Sequence, residues 1–296
     1  MHNPRGLAAL LAVIDCGTFE KAAERLCITP PAVSQRIRQL ENELGQTLLI
    51  RSAPPRTTRA GSAVLRYARQ LEQLDAALES ELRRDDESSR YRLTLAVNAD
   101  TLTTWLLKEC LADWCRKENV LLELLLDDQD QTHRLLQDGE VTGCISALAK
   151  PPQGCLSRSL GTARYHAVAS DAFCRRWFPD GAHREALQQA PAIRFNNRDL
   201  LPHRYVEQHF SLDSKELEFH TIPANYSYAE WIELGMGWGL VPHTQLPMLP
   251  ALVDISPQQT VDVPLHWHYW GIRSRLLDGL SEALLRAARR FHHWQD

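Results

Sequence analysis

The sequence predicts an α/β protein in which a helical N-terminal part precedes a larger region of alternating strands and helices. Apolar residues recur with helical spacing up to about residue 86, and from Tyr91 short apolar runs alternate with helical stretches. The chain has 296 residues, enough for two or three domains. Hydrophobic residues make up 44 % and charged residues 24 %, so we expect a globular fold with a sizeable core.

The first two predicted helices share one apolar pattern. Spacings of i, i+3, i+4 and i+7 are found in the first at Leu7, Leu10, Leu11 and Ile14, and in the second at Phe19, Ala22, Ala23 and Leu26. Gly17 is suited to end the first helix and Thr18 to cap the second. Because alanine side chains are small, Ala22 and Ala23 allow another helix to cross closely.

The third predicted helix follows the short break CITP and has two chemically different faces. Thr29 suits its N-cap and Pro30 its first position, where a missing N–H costs nothing. The apolar stripe consists of Val33, Ile37, Leu40 and Leu44, and the opposite face of Pro31, Gln35, Arg38, Gln39 and Asn42, with Ser34 and Arg36 on the flanks. A helix that enters the major groove of DNA needs such a layout. An ordinary surface helix of a core hairpin has the same polarity, so this face alone leaves both interpretations open.

The order of the residues is more specific than their polarity. Residues 19 to 48 follow the spacing F-x-x-A-A-x-x-L-x-x-T-x-x-A-V-S-x-x-I-x-x-L-E-x-x-L-G-x-x-L. This spacing closely resembles the LysR-type transcriptional regulators. The resemblance implies a winged helix-turn-helix that binds double-stranded DNA. The expected DNA contacts are Thr29, Pro31, Ser34, Gln35, Arg36, Arg38, Gln39, Arg51 and Arg56.

The segment TLLIRSAPPRTTRAG predicts the β-hairpin wing. Its strands are expected at 48–51 and 56–58, with the turn at 53–55. The resemblance implies that Arg51 approaches the DNA backbone or minor groove, with Arg56 nearby. The family usually has L-F-x-R where this chain has Leu49, Ile50 and Arg51. The alternative for both arginines is a solvated surface charge.

Residues 60–86 predict a single helix with a short coiled-coil seam. Such a helix has no core of its own and is expected to pair with a second copy, which also supplies two heads for two half-sites. The family has a linker helix of this kind, so a homodimer or a dimer of dimers is expected. Ligand binding would then change the spacing of the heads, DNA bending and contact with RNA polymerase. The run RRDDESSR is interpreted as the hinge to the next domain.

The remaining chain predicts an α/β body. Strands are expected at 91–97, 120–126 and 142–148, with helices at 101–117 and 129–138 between them, which is a parallel β-α-β-α-β unit. A second set of strands is expected at 165–170, 192–197, 217–225, 235–242 and 265–272, with helices at 227–234 and 276–294.

The body resembles the two-lobed, periplasmic-binding-protein-like effector domain of the same family. The division that follows is a DNA-binding domain at 1–59, a linker helix at 60–89 and an effector domain at 90–296. Lobe I is expected at about 90–163 and 267–296, and lobe II at about 164–266. Gly235, Gly237 and Pro242 fit the second-lobe pattern of the family. They are no dinucleotide fingerprint, because they follow a helix and the third glycine is missing.

A ligand is expected at the carboxyl ends of strands, between the lobes. N–H groups at a helix start attract a carboxylate, and threonine hydroxyls add donors. The expected contacts in the first lobe are Asn98, Asp100, Thr101, Thr103 and Thr104, with Asp127 and Asp128 after the second strand for a cationic tail; those in the second lobe are Asn225, Tyr226 and Ser227. The alternatives are N-capping for Asp100 and Thr101, and a solvated loop for the two acids.

Three segments resemble the arginine/lysine-responsive branch of the family. They are LCITPPAVSQRI, PPRTT and LAVNADTLTTWLL. This resemblance implies a basic amino acid as the effector and control of genes for amino-acid export or metabolism. The second lobe departs from the branch, since Ala224 and Asn225 stand where a serine pair is expected. Another small carboxylate is therefore the alternative effector.

Charge and composition bear on the remaining classes of protein. Residues 1–60 carry a charge of +3, from 8 Lys+Arg and 5 Asp+Glu, against -7 for the rest of the chain, which favours a nucleic-acid partner for the head. We find no candidate membrane span and no signal peptide, and 7 scattered cysteines are typical of reduced thiols in the cytoplasm.

No cofactor is expected, and no nucleophile elbow, P-loop or metal-spaced set supports an enzyme. His266 and His268 suit packing better than metal binding. An architectural DNA-binding protein without an effector is the other alternative.

Overall fold

The computed structural model describes residues 3–82, 90–126, 132–272 and 274–291. It begins with three helices, α1 (Pro4–Cys16), α2 (Phe19–Arg25) and α3 (Pro30–Leu44). Gly17 ends α1 in the left-handed conformation with φ 72°, and the Thr18 hydroxyl accepts a hydrogen bond from the Lys21 N–H at 3.2 Å. Both predicted caps are confirmed. Thr29 occupies the N-cap position of α3, but its side chain makes no capping hydrogen bond.

The three helices cross closely because small residues lie at their contacts. Ala22 and Ala23 are fully buried, as the sequence predicts. Gly6 lies against α3, where an added Cβ would be only 2.8 Å from the Cβ of Leu40. The apolar stripe of α3 faces this core, so its polar side is turned outward.

A two-stranded antiparallel wing follows, with β1 (Leu49–Ile50) paired to β2 (Arg56–Thr57). Both strands are shorter than expected. The base of the wing is fixed from both sides. Glu41 of α3 accepts hydrogen bonds from the N–H groups of Leu48 and Leu49 at 2.7 and 3.3 Å, and the Thr58 hydroxyl donates to the Thr47 carbonyl at 2.6 Å. Residues 3–57 are called the head below.

The linker helix α4 (Arg59–Leu82) packs against its own head, which the expectation of a helix without a core had missed. Buried Leu65 and Ala68 join the head core, and the seam residues Leu74 and Leu78 are exposed. Residues 83–86 of the expected helix, and most of the expected hinge, lie outside the described residues.

The linker helix also contacts the body, defined as the described residues from Arg90 onward. The Arg66 guanidinium donates to the Gln137 carbonyl at 3.2 Å. Arg69 donates to the Gly139 carbonyl and pairs with Asp15 at 2.9 Å.

The first half of the body confirms the predicted β-α-β-α-β unit. Strand β3 (Tyr91–Val97) pairs in parallel with β4 (Val120–Leu126) and with β5 (Gly143–Ser146). The first crossover contains α5 (Ala99–Thr101), a π-helix (Leu102–Leu111) and α6 (Ala112–Glu118). The second contains α7 (Thr132–Gln137), with Gly139 at φ 75° soon after its end.

Two long antiparallel strands run through both halves of the body. They are β6 (Cys155–Ser170) and a last strand that spans Thr260–Trp270. The predicted strands at 165–170 and 265–272 are only parts of them. Gly161 and several polar residues in the first part of β6 hide its strand pattern from a reading of the sequence.

The second half of the body packs against β6. It contains α8 (Asp171–Trp177), α9 (Arg184–Gln189), β7 (Ala192–Arg194), α10 (Leu201–Phe210), β8 (Phe219–Thr221), α11 (Asn225–Glu233), β9 (Gly239–Pro242), β10 (Leu252–Asp254) and the last strand, β11 (Thr260–Trp270). Strand β7 pairs in parallel with β8. The main sheet has the order β10-β6-β11-β5-β3-β4, and β9 also pairs with β6.

The final helix, α12 (Arg275–Phe291), returns to pack on the first crossover of the body. Its buried Ser281 accepts a hydrogen bond from the indole N–H of Trp267 at 2.9 Å. The described part of the chain has no helix with both the length and the apolar character needed to cross a bilayer.

Candidate functional site

The outer face of α3 presents the polar side chains that the sequence predicts for DNA contact. Pro31, Gln35, Arg38 and Gln39 are exposed, and Thr29 is exposed at the start of the helix. Ser34 and Arg36 are half-buried on the flanks. Since Val33, Ile37 and Leu40 are buried on the opposite side, packing fixes the rotation of the helix and hence the direction of this face.

The two wing arginines lie on either side of the hairpin turn. Arg51 and Arg56 are both exposed. The turn between them contains the cis Ala53–Pro54 peptide, and the Ser52 hydroxyl donates to the Pro54 carbonyl at 2.6 Å. The outer face of α3 and the wing arginines together form a cationic and amide-rich surface of the kind that binds phosphates and base edges.

A cleft of about 350 Å³ opens between the two halves of the body. Its lining comes from five places: the end of β4, the start of α5, the loop between β7 and α10 with the first turns of α10, the turn before α11 with the start of that helix, and β9 with the residues after it. The volume lies within the range of small-molecule sites. Of the predicted ligand residues, it is lined by Asn98, Asp100 and Asn225.

Asp100 joins the two sides of this cleft. Its carboxylate accepts a hydrogen bond from the Tyr165 hydroxyl at 3.0 Å and one from the Asn225 amide at 3.4 Å. The pKa of the Asp100 carboxyl is raised to about 6, mainly by burial and also by the negative charge of Asp199, against the lowering effect of the Tyr165 and Asn225 hydrogen bonds. The carboxylate is therefore poorly stabilised by the protein alone and gains from a cation beside it.

Asn98 lies at the N-cap position of α5 but makes no capping hydrogen bond. Its side chain is 7 % exposed and lines the cleft. Among the described residues, its Oδ1 atom has no hydrogen-bond partner. A buried acceptor of this kind calls for a donor.

The three predicted threonines lie outside the lining of this cleft. The hydroxyls of Thr103 and Thr104 donate to carbonyl groups of the preceding turn, at 3.0 Å to Ala99 and 2.7 Å to Asp100. Thr103 also accepts from the Asn225 amide at 3.2 Å, and Thr101 is buried. The hydroxyls of Thr103 and Thr104 thus serve the helix, and that of Thr103 also its contact with the other half of the body.

In the second half of the body, α11 begins at Asn225, which turns the next two side chains away from the cleft. Tyr226 is 82 % exposed, and Ser227 is exposed as well. Tyr228, the next residue, lines the cleft instead. Its hydroxyl donates to the Ile193 carbonyl and accepts from the Leu240 N–H. Asp127 and Asp128 lie outside the described residues.

The sequence interpretation missed the loop between β7 and α10. This loop and the first turns of α10 contribute Phe195, Asn196, Arg198, Asp199, Leu200, Leu201 and Arg204 to the cleft. The carboxylate of Asp199 accepts hydrogen bonds from the N–H groups of Phe195 and Leu201, at 2.9 and 3.0 Å. The signal that could have found them is the end of a short parallel strand, the usual place for ligand contacts in α/β sheets.

The cysteine and histidine candidates show no activated chemistry. The seven cysteines are free, and burial raises the pKa of Cys110 and of Cys155 to about 12. The pKa of His268 is lowered to about 4, mainly by burial and also by the neighbouring His266, which suits a neutral packed ring. The described residues contain no group of three or more side chains that would hold a metal ion.

A winged helix-turn-helix head joined to a two-part body with an interlobe cleft defines a ligand-responsive DNA-binding protein. The family model described as bacterial regulatory helix-turn-helix protein, lysR family, matches residues 4–62, and the LysR substrate binding domain model matches residues 86–291. The chain therefore belongs to the LysR family of transcriptional regulators. The predicted fold class and the predicted regulatory function are confirmed.

Similar proteins extend this comparison over nearly the whole chain. The HTH-type transcriptional regulator ArgP of Pseudomonas fluorescens (strain Pf0-1) is 38% identical over 292 residues, covering 97% of each chain. The crystal structure of ArgP from Mycobacterium tuberculosis superposes with a TM-score of 0.89 at 33% identity, covering 100% of both chains. Full-length LysG from Corynebacterium glutamicum with bound effector Arg has a TM-score of 0.80 at 31% identity, covering 98% of this chain and 99% of that one. These relatives are transcriptional regulators, which confirms a regulator rather than an enzyme.

Proposed function

We propose that this protein regulates transcription in response to a basic amino acid, lysine or arginine, bound in the cleft of the body. The observation that carries the proposal is the acceptor-rich wall at the start of α5, where Asp100 has a raised pKa and Asn98 has a buried acceptor. Both features favour a cationic ligand. The effector Arg bound to the related LysG adds support. The target genes would then serve amino-acid export or metabolism.

In this proposal the head reads DNA through α3 and the wing. Gln35 and Arg38 face base edges, Arg36 contacts phosphate, and Arg51 with Arg56 reaches the backbone or minor groove. The remaining contacts come from Thr29, Pro31, Ser34 and Gln39.

The effector site that we propose contains the cleft residues Asn98, Asp100 and Asn225. The site is held in place by the adjacent segment that contains Thr101, Thr103 and Thr104. Asp127 and Asp128, after β4, stay in the proposal as partners for the ligand tail. The domain division that goes with this site is 1–59, 60–89 and 90–296, with the lobes meeting at the cleft.

The assembly that fits this role is a homodimer or a dimer of dimers in the cytoplasm. Leu74 and Leu78 on α4 are 42% and 55% exposed, which suits pairing with a second copy. Ligand binding would shift the spacing of the two heads and their contact with RNA polymerase. The shift can be only as large as the difference in the ligand's affinity for the two arrangements of the heads.

Thermal unfolding of the full chain against a panel of amino acids tests the proposal. A ligand at 100 times its Kd stabilises the folded state by about 2.7 kcal/mol. We expect lysine or arginine to raise the Tm while neutral amino acids leave it unchanged. The matched variants are Asp100→Asn, which should lose the rise, and Asp113→Asn, whose side chain is 81% exposed on α6 and which should keep it. A rise with other small carboxylates alone would favour the alternative effector, and no rise with any ligand would favour an architectural role.

A further inference from the structure

The cleft has two walls of opposite polarity. At the start of α5, the buried Oδ1 of Asn98 is an acceptor without a partner among the described residues. Two residues later, the Asp100 carboxylate has four acceptor positions, of which the Tyr165 hydroxyl and the Asn225 amide use two. This wall therefore presents a compact pair of acceptors on a single turn.

The facing wall is formed by the loop between β7 and α10. Arg198 of this loop and Arg204 in the first turns of α10 line the cleft. The carboxylate between them, that of Asp199, accepts one backbone hydrogen bond on each oxygen. The cations of this wall are thus accompanied by an acid that holds the loop together, and the wall suits an anionic group of the ligand.

We propose that an amino acid binds in this cleft with its α-ammonium group on Asn98 Oδ1 and Asp100, and with its carboxylate towards Arg198 and Arg204. This inference rests on the proposed function and assigns the direction in which the ligand lies. An ammonium group is compact and carries three donors, so it matches two acceptors on one turn. Lysine and arginine share this group and differ in their tails, so one such pair of acceptors serves both.

This orientation reverses the interpretation that the sequence gives. From the sequence, the helix start at residues 98–101 attracts the carboxylate of the ligand. In the structure, that helix start presents two side-chain acceptors to the cleft, and the cations come from Arg198, which follows the predicted strand at 192–197, and from Arg204 in α10.

A cycle of ligand and protein changes tests the orientation. Binding to the full chain is measured by calorimetric titration for arginine, for 5-guanidinopentanoic acid, which lacks the α-ammonium group, and for agmatine, which lacks the carboxylate. Weak analogues are measured by competition with arginine. The protein variant is Asn98→Ala, with Asn98→Asp as a second variant that keeps the acceptor.

If the α-ammonium group binds here, Asn98→Ala weakens arginine and agmatine by roughly tenfold or more, as expected for loss of a hydrogen bond to a charged group. The same variant leaves 5-guanidinopentanoic acid unchanged, because that ligand lacks the group in question. Asn98→Asp binds arginine at least as tightly as the wild type. These three results together would place the α-ammonium group of the ligand beside Asn98.

An equal loss for arginine and for 5-guanidinopentanoic acid would overturn the orientation, because the acceptors would then serve the guanidinium tail. No loss for any ligand in Asn98→Ala would also overturn it. The proposed function stands in both cases, since the wild type still binds arginine. If the wild type binds neither lysine nor arginine, the proposed function fails and the orientation fails with it.

Discussion

Many contacts that stabilise the head join residues close in sequence, whereas many that stabilise the body join residues far apart in sequence. In the head, the caps of α1 and α2 come from Gly17 and Thr18, directly beside the helices that they end or begin. In the body, the ion pair of Arg164 with Asp262 joins β6 to β11 across 98 residues. The functional surfaces differ in the same way. One helix and its wing supply the DNA-binding face, whereas five separated segments build the cleft. A surface made from one segment can be read from its own sequence, and a surface made from several needs the fold.

The largest expected effect separates two glycines, one in the linker helix at the base of the wing and one in the body. At Gly61, at the start of α4, an added Cβ would lie 1.9 Å from the Leu48 carbonyl oxygen at the base of the wing. We expect Gly61→Ala to lower the free energy of unfolding by about 3 kcal/mol and to displace the wing. Chemical denaturation and DNA affinity check this.

The matched control in the body is Gly279→Ala. Gly279 lies in α12, and the nearest contact of an added Cβ would be an ordinary 3.6 Å. Alanine in a helix is favoured over glycine, so this variant should gain about 0.5 to 1 kcal/mol. Equal stability of the two variants would show that the base of the wing is not closely packed.

The next effect concerns base reading by α3. Gln35→Ala or Arg38→Ala should relax the sequence preference at one position of the operator, at a cost of about 1 to 3 kcal/mol for the preferred base. Binding to a library of operator variants measures this.

Arg36→Ala is the comparison for this prediction. It should weaken binding to all library members by a similar factor, since a phosphate contact carries no sequence information. If Gln35→Ala and Arg38→Ala kept the full preference, their role in base reading would be excluded.

A smaller effect concerns pH and the cleft. The raised pKa of Asp100, about 6, means that its carboxyl becomes ionised between about pH 5 and pH 7. Only the ionised form attracts a cation, so arginine affinity should rise by about tenfold over this range. Calorimetric titrations at several pH values check the rise, which should be absent in Asp100→Asn.

The same pKa predicts how stability changes with pH. The folded state binds the Asp100 proton more tightly than the unfolded state does, so the contribution of this group is greatest at low pH. It decreases as the pH rises from about 4 to 6 and is constant above. At pH 7, the free energy of unfolding of Asp100→Asn should therefore be about 1 to 2 kcal/mol higher than that of the wild type. This difference should disappear near pH 4. Chemical denaturation at the two pH values measures it. An advantage that persisted unchanged at pH 4 would contradict the assigned pKa.

The smallest effect belongs to the wing. Arg51→Ala and Arg56→Ala should each lower the dependence of DNA binding on salt by about one counterion, with the preferred sequence unchanged. Titrations of operator DNA at several salt concentrations measure the slope. An unchanged slope in both variants would identify the arginines as solvated surface charges.

How much the sequence predicts follows the same division between local and distant contacts. The helices and the wing of the head were predicted from apolar spacing and caps, although the hydroxyl of Thr29 makes no cap. Strands β3, β4 and β5 were predicted because they are short apolar runs between helices. The first part of β6 was missed, because its polar residues and Gly161 acquire a strand conformation by pairing with β11, far along the chain.

The cleft shows the same limit. Asn98, Asp100 and Asn225 were found because they follow strands and begin helices. Arg198 and Arg204 were missed because β7 has only three residues, so the predicted strand ran over the start of the loop. Tyr226 is exposed outside the cleft lining, since the exact residue at which α11 begins decides which side chains face inward.

The most direct test of a ligand-responsive regulator measures the affinity of the full-length protein for operator DNA with and without saturating lysine or arginine. The operator is first selected from genomic fragments by the protein itself. We predict that one of the two amino acids changes the affinity or the footprint, and that Asp100→Asn binds the same DNA without this response. A wild-type protein whose affinity and footprint are identical with and without both amino acids would contradict the account.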